Sequence, residues 1–197
     1  MKNVFKFSLV LGVALFTMNV HASDIDFSLD VKKEKGRMIT FAISETKQME
    51  LTIYDAKNVV VHSEKLYSQA LVDRTYDLKD LPEGDYYLVA ESELKTAKYK
   101  ISVVGETAEL FEDPISEEFK PTFMKHRGYV KVNFLNLEES PIVIKIYDRD
   151  DVLVYESGVL TDQNIAKVYD IYNIENEEYT IALTNKNRTY TKTFSKF

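Results

Sequence analysis

Apolar and polar residues alternate along most of the chain, with the two-residue period of strands that are buried on one face. The alternation is strict from Ile25 to Val31 and returns from Ile39 to Ile43. Polar segments rich in Gly, Pro, Asn or Asp separate the apolar stretches, which predicts turns between short strands. Seven such strands precede residue 105, and no stretch has a helical period. This pattern predicts an all-β, antiparallel β-sandwich.

The pattern occurs twice. Five pairs of matching residues lie 93 positions apart, with no gap between the first pair and the last: Ile53 and Ile146, Tyr54 and Tyr147, Asp55 and Asp148, Tyr76 and Tyr169, Tyr86 and Tyr179. Chance would not keep one spacing over so many positions, so an internal duplication is indicated. Earlier in each copy the predicted matches are Phe27 with Phe119 and Val31 with Phe123 at 92 positions, then Ile39 with Val132 and Phe41 with Phe134 at 93.

Four segments follow from this pattern. Residues 1–22 are expected to be a secretory signal peptide, because Lys2 and Lys6 precede an apolar run that ends at Val20-His21-Ala22. Residues 23–104 are the first predicted sandwich and residues 119–197 the second. Residues 105–118, which are acidic and contain Pro114, are expected to be a linker.

Composition narrows the possible partners. The formal net charge is −7, and it becomes −9 when Lys2 and Lys6 are removed with the signal peptide. An acidic chain argues against nucleic acid, whose binders present basic patches. There is no Cys, so each domain must be stable without disulfides. No later segment is long and apolar enough to cross a membrane as a helix, so an exported protein of the periplasm, outer surface or extracellular space is expected.

The segment Leu81-Pro82-Glu83-Gly84-Asp85-Tyr86-Tyr87-Leu88, taken with 53–55 and 76–78 before it, is the most recognisable part of the chain. It resembles the Ig-like C-terminal sorting domain of Bacteroidetes proteins exported by the type IX system. It is also similar to small secreted Ig-like proteins of Bacteroidetes. The resemblance implies two tandem Ig-like sandwiches. It implies a secreted or envelope-associated binding protein, with an unidentified protein or glycan partner. The alternative is that the second repeat acts as a sorting or surface-attachment domain.

The sequence offers no catalytic constellation and no cofactor motif, so a non-enzymatic protein is expected. The acidic group Asp148, Asp150 and Asp151 could supply oxygen ligands to Ca²⁺. An exposed hairpin turn explains the same residues, since Asp is favoured in turns, and that interpretation is preferred.

Four tyrosines are assigned structural roles. Tyr86 and Tyr179 each begin a strand just after a turn, where a tyrosine of an Ig-like sandwich commonly buries its ring and donates its hydroxyl to nearby backbone. Tyr54 and Tyr147 recur at equivalent positions of the two copies, which favours packing over ligand contact.

Overall fold

The computed structural model describes residues 27–44, 48–67, 71–171, 178–186 and 188–195. The predicted signal peptide lies outside the described residues. The described residues form antiparallel strands joined by turns, and they include no helix capable of spanning a membrane.

The first domain consists of two sheets. Its nine strands are β1 (Ser28–Lys35), β2 (Met38–Ser44), β3 (Met49–Asp55), β4 (Val60–Leu66), β5 (Val72–Asp77), β6 (Gly84–Ser92), β7 (Lys95–Val104), β8 (Thr107–Leu110) and β9 (Ser116–Phe119). The smaller sheet has the order β1-β2-β5, and the larger has the order β4-β3-β6-β7-β8, with β9 also pairing with β7. One apolar core contains side chains from both sheets, such as Phe41 from β2 and Leu88 from β6.

The second domain repeats this arrangement with seven strands. They are β10 (Thr122–His126), β11 (Tyr129–Leu135), β12 (Ile142–Asp148), β13 (Leu153–Leu160), β14 (Asn164–Asp170), β15 (Glu178–Asn185) and β16 (Arg188–Ser195). The sheets have the orders β10-β11-β14 and β13-β12-β15-β16. A second apolar core, separate from the first, contains Val132, Ile144 and Ile181. Each domain therefore packs a three-stranded sheet on a larger one, and the expected pair of tandem Ig-like sandwiches is confirmed.

The acidic stretch is not a linker. Residues 107–110 and 116–119 form β8 and β9, and both strands pair with β7. Ala108 and Leu110 are each 3% exposed and belong to the core of the first domain. The prediction of a linker at residues 105–118 was wrong. The apolar alternation of this stretch is limited to Ala108 and Leu110, and acidic residues surround it. Phe119 pairs with Lys95 of the first domain, so the second sandwich begins at Thr122 rather than at residue 119.

The spacing between the copies changes by two residues between β2 and β3. Ile53 pairs with Leu88, and the residues 93 positions later pair in the same way. Ile39, however, faces Tyr76, while it is Val130 that faces Tyr169, so the counterpart of Ile39 lies 91 positions on. The predicted matches of Ile39 with Val132 and of Phe41 with Phe134 were therefore wrong.

The difference arises in one loop. Four residues separate β2 from β3, and six separate β11 from β12. The second copy thus has a longer loop, residues 136–141, which forms part of the wall of a groove described below.

Candidate functional site

The hairpin between β3 and β4 is organised by one aspartate. Asp55 Oδ1 accepts the backbone N–H groups of Lys57 and Val59, both at 2.8 Å. The backbone N–H of Asn58 donates to the carbonyl of Asp55 at 3.0 Å, and Asn58 has a φ of 62°. Asparagine tolerates this left-handed conformation better than most residues, so its place in the turn is explained by backbone geometry.

The predicted calcium residues form the same turn in the second domain. Asp148 Oδ1 accepts the N–H groups of Asp150 and Val152, both at 2.9 Å, and Asp151 has a φ of 58°. Asp150 forms an exposed ion pair with Arg149 at 3.7 Å. Across the described ranges, no three His, Cys, Asp or Glu side chains are grouped so that they could hold a metal ion. The geometry favours the hairpin-turn interpretation over calcium.

Tyr86 has the contact expected of a tyrosine at this corner. Its ring is buried, and its hydroxyl donates to the carbonyl of Pro82 at 2.9 Å. Tyr179 is also buried, at 1% exposure. Tyr54 and Tyr147 are half-buried near the ends of equivalent strands. The rings of Tyr86 and Tyr179 are therefore part of the two apolar cores.

Two equivalent edge strands expose many of the apolar side chains. β4 and β13 lie at corresponding edges of the two larger sheets. Of the 18 large apolar side chains exposed in the described part of the chain, eight lie on these strands or directly before them: Val59, Val60, Val61, Val152, Leu153, Val154, Tyr155 and Val159. We call these two strands, each with its preceding residue, the apolar edges. Exposed apolar edge strands are sites where another strand can pair.

Two other strands of the first domain, β7 and β1, have protected outer edges. The outer edge of β7 is covered by β8 and β9. β1 carries the charged run Lys32-Lys33-Glu34-Lys35, and its pairing with β2 is interrupted by a bulge between Val31 and Lys33. Charges and bulges are common means of preventing edge-to-edge association. The first apolar edge lacks such a charged run along its exposed valines.

A polar cluster lies beside the first apolar edge. The hydroxyl of Tyr76 donates to Glu64 Oε1 at 2.6 Å, and Arg74 Nε is 3.1 Å from each carboxylate oxygen of Glu64. The ring of His62 packs edge-on against Tyr76, with centroids 5.2 Å apart. Burial, together with the hydrogen bond to Glu64, raises the pKa of the Tyr76 hydroxyl. This cluster joins β4 of the larger sheet to β5 of the smaller one.

The corresponding cluster of the second domain is less polar. Tyr155 and Tyr169 pack edge-on, with centroids 5.3 Å apart, at the positions equivalent to His62 and Tyr76. Ser157 occupies the place of Glu64. The hydroxyl of Tyr169 is buried and makes no hydrogen bond of normal geometry among the described residues. Burial, followed by the nearby Tyr155 hydroxyl, raises its pKa. The two apolar edges therefore have different polar surroundings.

A groove of about 310 Å³ lies between the domains, and we call it the junction groove. Its walls are β9, the loop 136–141 and the turn that joins β15 to β16. Glu118 of β9 lies 2.6 Å from Arg188 Nη1, and it accepts the hydroxyl of Tyr190 at 3.1 Å. The neighbouring Glu117 pairs instead with Lys95 of the first domain, at 2.9 Å. Adjacent carboxylates thus contact opposite domains.

The long loop forms a rigid wall of this groove. Asn136 is 2% exposed. Its Oδ1 accepts the backbone N–H of Ser140 at 3.1 Å, and its Nδ2 donates to the carbonyls of Ser140 at 2.9 Å and Asp162 at 3.3 Å. These bonds satisfy the buried amide, so the loop is held by its own side chains.

The sequence did not predict the contacts of Glu64 with Tyr76 or those of Glu118 with Arg188. Glu64 and Tyr76 are 12 positions apart, and Glu118 and Arg188 are 70 apart. No motif joins these residues, because strand pairing alone brings them together. The exposure of the apolar edges was missed for a related reason: alternation predicts strands but does not say which strand lies at an edge.

Comparison with known proteins gives no family. No protein-family model matches the chain, and no curated protein matches it. Among solved structures, the BSP domain of a biofilm-associated protein is 10% identical, with a TM-score of 0.27 over 84% of this chain. The chain spans 29% of that structure's length.

Two further solved structures are similar at the same level. Bovine butyrophilin is 9% identical, with a TM-score of 0.27, over 86% of this chain and 98% of its own. Alpha-2-macroglobulin from Escherichia coli, domains NIE-MG1, is 10% identical, with a TM-score of 0.26, over 88% of this chain and 99% of its own. The fold assignment rests on the strand order and the two cores of this chain.

Proposed function

We propose that the chain is an exported, non-enzymatic interaction protein that binds extended segments of partner proteins through its two apolar edges. The observation that carries the proposal is the concentration of exposed apolar side chains on β4 and β13, which occupy the same place in both domains. Export is supported by the predicted signal peptide in residues 1–22.

Strand addition is the binding mode that these edges favour. An edge strand offers unpaired backbone N–H and C=O groups, which an extended peptide can satisfy. Successive side chains of a strand point to opposite faces, so Val60 and Val61 lie on the two faces of the first edge. Leu153 and Val154 do the same on the second. An added strand would therefore find an apolar neighbour on each face.

A protein partner is favoured over a glycan. Glycan-binding faces generally group aromatic rings, and the exposed aromatic side chains in the described residues are scattered. Tyr67, Phe111, Tyr129 and Tyr155 lie on four different segments. The partner class expected is an extended polypeptide with β-branched or other apolar side chains.

Site-specific photocrosslinking in the native host tests the proposal. A crosslinking residue at Val61 or Val154 is expected to join the full chain to a protein, and the same residue at Val104 is not. Val104 is a suitable control because it is 63% exposed, more than Val61 at 39% or Val154 at 47%, but lies at the end of β7. Val60→Lys should abolish the crosslink from Val61, since an edge lysine opposes strand pairing. Equal crosslinking from all three positions would refute the proposal.

The alternative role, in which the second domain acts as a sorting or attachment domain, makes a different prediction. It requires a mature form that has lost the residues after about 121. Intact-mass measurement of the exported protein distinguishes the two roles, because an interaction protein with two edges keeps both domains.

A further inference from the structure

Equivalent strands of the two domains differ in what covers their outer edge. β7 pairs with β6, and β16 pairs with β15, in registers that match at a spacing of 93. The outer side of β7 is occupied: the N–H of Phe111 donates to the carbonyl of Lys100 at 3.0 Å, and that of Ile115 to Lys98 at 2.7 Å. Among the described residues, β16 pairs with β15 alone.

The strands that cover β7 complement it in charge. The segment 105–119 contains six acidic residues, Glu106, Glu109, Glu112, Asp113, Glu117 and Glu118. β7 contains three lysines, Lys95, Lys98 and Lys100, and no acidic residue. Lys95 pairs with Glu117 of β9, whereas Lys100 pairs with Asp85 of β6. The first domain thus shows that an acidic, extended segment can complete this edge.

β16 has the same chemistry as β7 and remains accessible. It contains Arg188 and Lys192 and no acidic residue, within a chain that is acidic overall. Lys125 of β10 adds a third positive charge, because its Nζ donates to the carbonyl of Ser195 at 2.5 Å. Thr189, Thr191 and Lys192 are all exposed. Arg188 is paired with Glu118 at 2.6 Å, so among the described residues of β16 it is Lys192 that presents its positive charge to solvent.

The backbone N–H and C=O groups at alternate residues of β16 also point outward, as strand addition requires. Lys98 and Lys100 turn their carbonyls outward, and in an antiparallel strand the N–H of a residue points to the same side as its C=O. Their counterparts 93 positions later are Thr191 and Thr193. The carbonyl of Ser195, two residues further along the strand, accepts a bond from outside the sheet, which agrees with this assignment.

We propose that the outer edge of β16 binds an acidic, extended segment of a partner protein, which adds to the sheet as β8 and β9 add to β7. This edge is at the opposite end of the sheet from β13, so the two surfaces are independent. The partner's chemistry differs as well, since the apolar edges select apolar side chains and β16 selects carboxylates.

A synthetic peptide with the sequence of residues 105–119 is a direct probe. Added to the full mature chain, it is expected to shift the amide signals of Thr191 and Thr193 and to slow their hydrogen exchange at least about tenfold at saturation. The amides of Lys98 and Lys100 serve as the internal control, because their edge is already covered. The amides of Val60 and Val154 should also be unchanged, which separates this test from that of the apolar edges.

Paired variants make the test specific. Thr191→Pro removes one outward N–H and should abolish peptide binding, whereas Thr191→Val keeps the backbone and should bind normally. A peptide with its six acidic residues replaced by their amides should bind at least about tenfold more weakly. Shifts confined to other strands, or equal binding of both peptides, would overturn the proposal. So would protection of the β16 amides by a dimer of the chain alone, because the edge would then belong to a second copy.

Discussion

The same substitution at two equivalent tyrosines should destabilise one domain and not the other. Tyr76 and Tyr169 occupy matching positions, and both hydroxyls are removed from water. Tyr76 donates to Glu64 at 2.6 Å, whereas the hydroxyl of Tyr169 has no hydrogen-bond partner among the described residues. We expect Tyr76→Phe to destabilise the first domain, and Tyr169→Phe to leave the second domain unchanged or make it more stable.

The magnitudes follow from the two environments. A hydrogen bond to a charged group contributes about 1.5–3 kcal/mol. The Glu64 side chain is 26% exposed and keeps its contact with Arg74, so a loss of about 1–2 kcal/mol is expected for Tyr76→Phe. An unpaired buried hydroxyl costs about 1–3 kcal/mol. The ring of Tyr169 is only half-buried, so Tyr169→Phe should gain between zero and about 1 kcal/mol.

Hydrogen exchange resolved by residue is the appropriate assay. A chain with two domains does not unfold in one transition, so a single melting curve would mix the two free energies. Core amides of Ile53 and Leu88 report the opening free energy of the first domain, and those of Ile146 and Ile181 report the second. Each variant also has its own control, because the unmutated domain should keep its wild-type value.

Two results would refute the reasoning. If Tyr169→Phe destabilises the second domain by as much as Tyr76→Phe destabilises the first, the Tyr169 hydroxyl makes a bond of equal strength. If Tyr76→Phe has no effect, the bond to Glu64 contributes nothing in water. A further variant separates ring from hydroxyl: Tyr76→Leu should cost more than Tyr76→Phe, because the ring also packs against Phe41 with centroids 5.5 Å apart.

Three other outcomes are expected. In a fragment of residues 23–121, which contains the first domain alone, Tyr86→Phe should cost about 1–1.5 kcal/mol in urea unfolding, because the carbonyl of Pro82 loses its donor. The control on the opposite face, Tyr87→Phe, should cost under about 0.5 kcal/mol. A fragment of residues 23–104 should be less stable than 23–121 by at least about 2 kcal/mol in the same assay, because it lacks the buried residues of β8. Burial raises the pKa of Tyr99 to about 12. The neutral Tyr99 hydroxyl should therefore contribute its full stabilisation below pH 10 and lose it as the pH rises toward 12. Ultraviolet titration of the native chain measures the ionisation of the tyrosine hydroxyls.

The sequence was sufficient to predict the sandwich architecture, because alternation and register are local properties. The equivalence of Tyr86 and Tyr179, 93 residues apart, predicted that both lie on the buried face of their strands. Alternate residues of β6, beginning with Tyr86, are buried as this prediction requires. It also placed Asp55 and Asp148 in equivalent turns, which both make the same two side-chain-to-backbone bonds.

The sequence was insufficient where distant segments meet. Ala108 and Leu110 alternate with polar residues, but four residues are too few to outweigh a run of carboxylates and prolines. What makes this stretch a pair of strands is its backbone pairing with β7, the burial of Ala108 and Leu110 and the ion pair of Glu117 with Lys95, and these contacts are visible only after β7 is placed. The two-residue change in spacing was hidden for a similar reason, since Ile39 and Val132 are both apolar and either match satisfies the pattern.

β9 also constrains how the two domains can diverge during evolution. Neighbouring side chains of a strand point to opposite sides, and for this reason Glu117 contacts Lys95 while Glu118 contacts Arg188. A single residue inserted before Glu117 would turn both carboxylates to the other side of the strand, away from Lys95 and Arg188. The length of β9 is therefore constrained wherever both ion pairs are kept, because each depends on the side to which its carboxylate points.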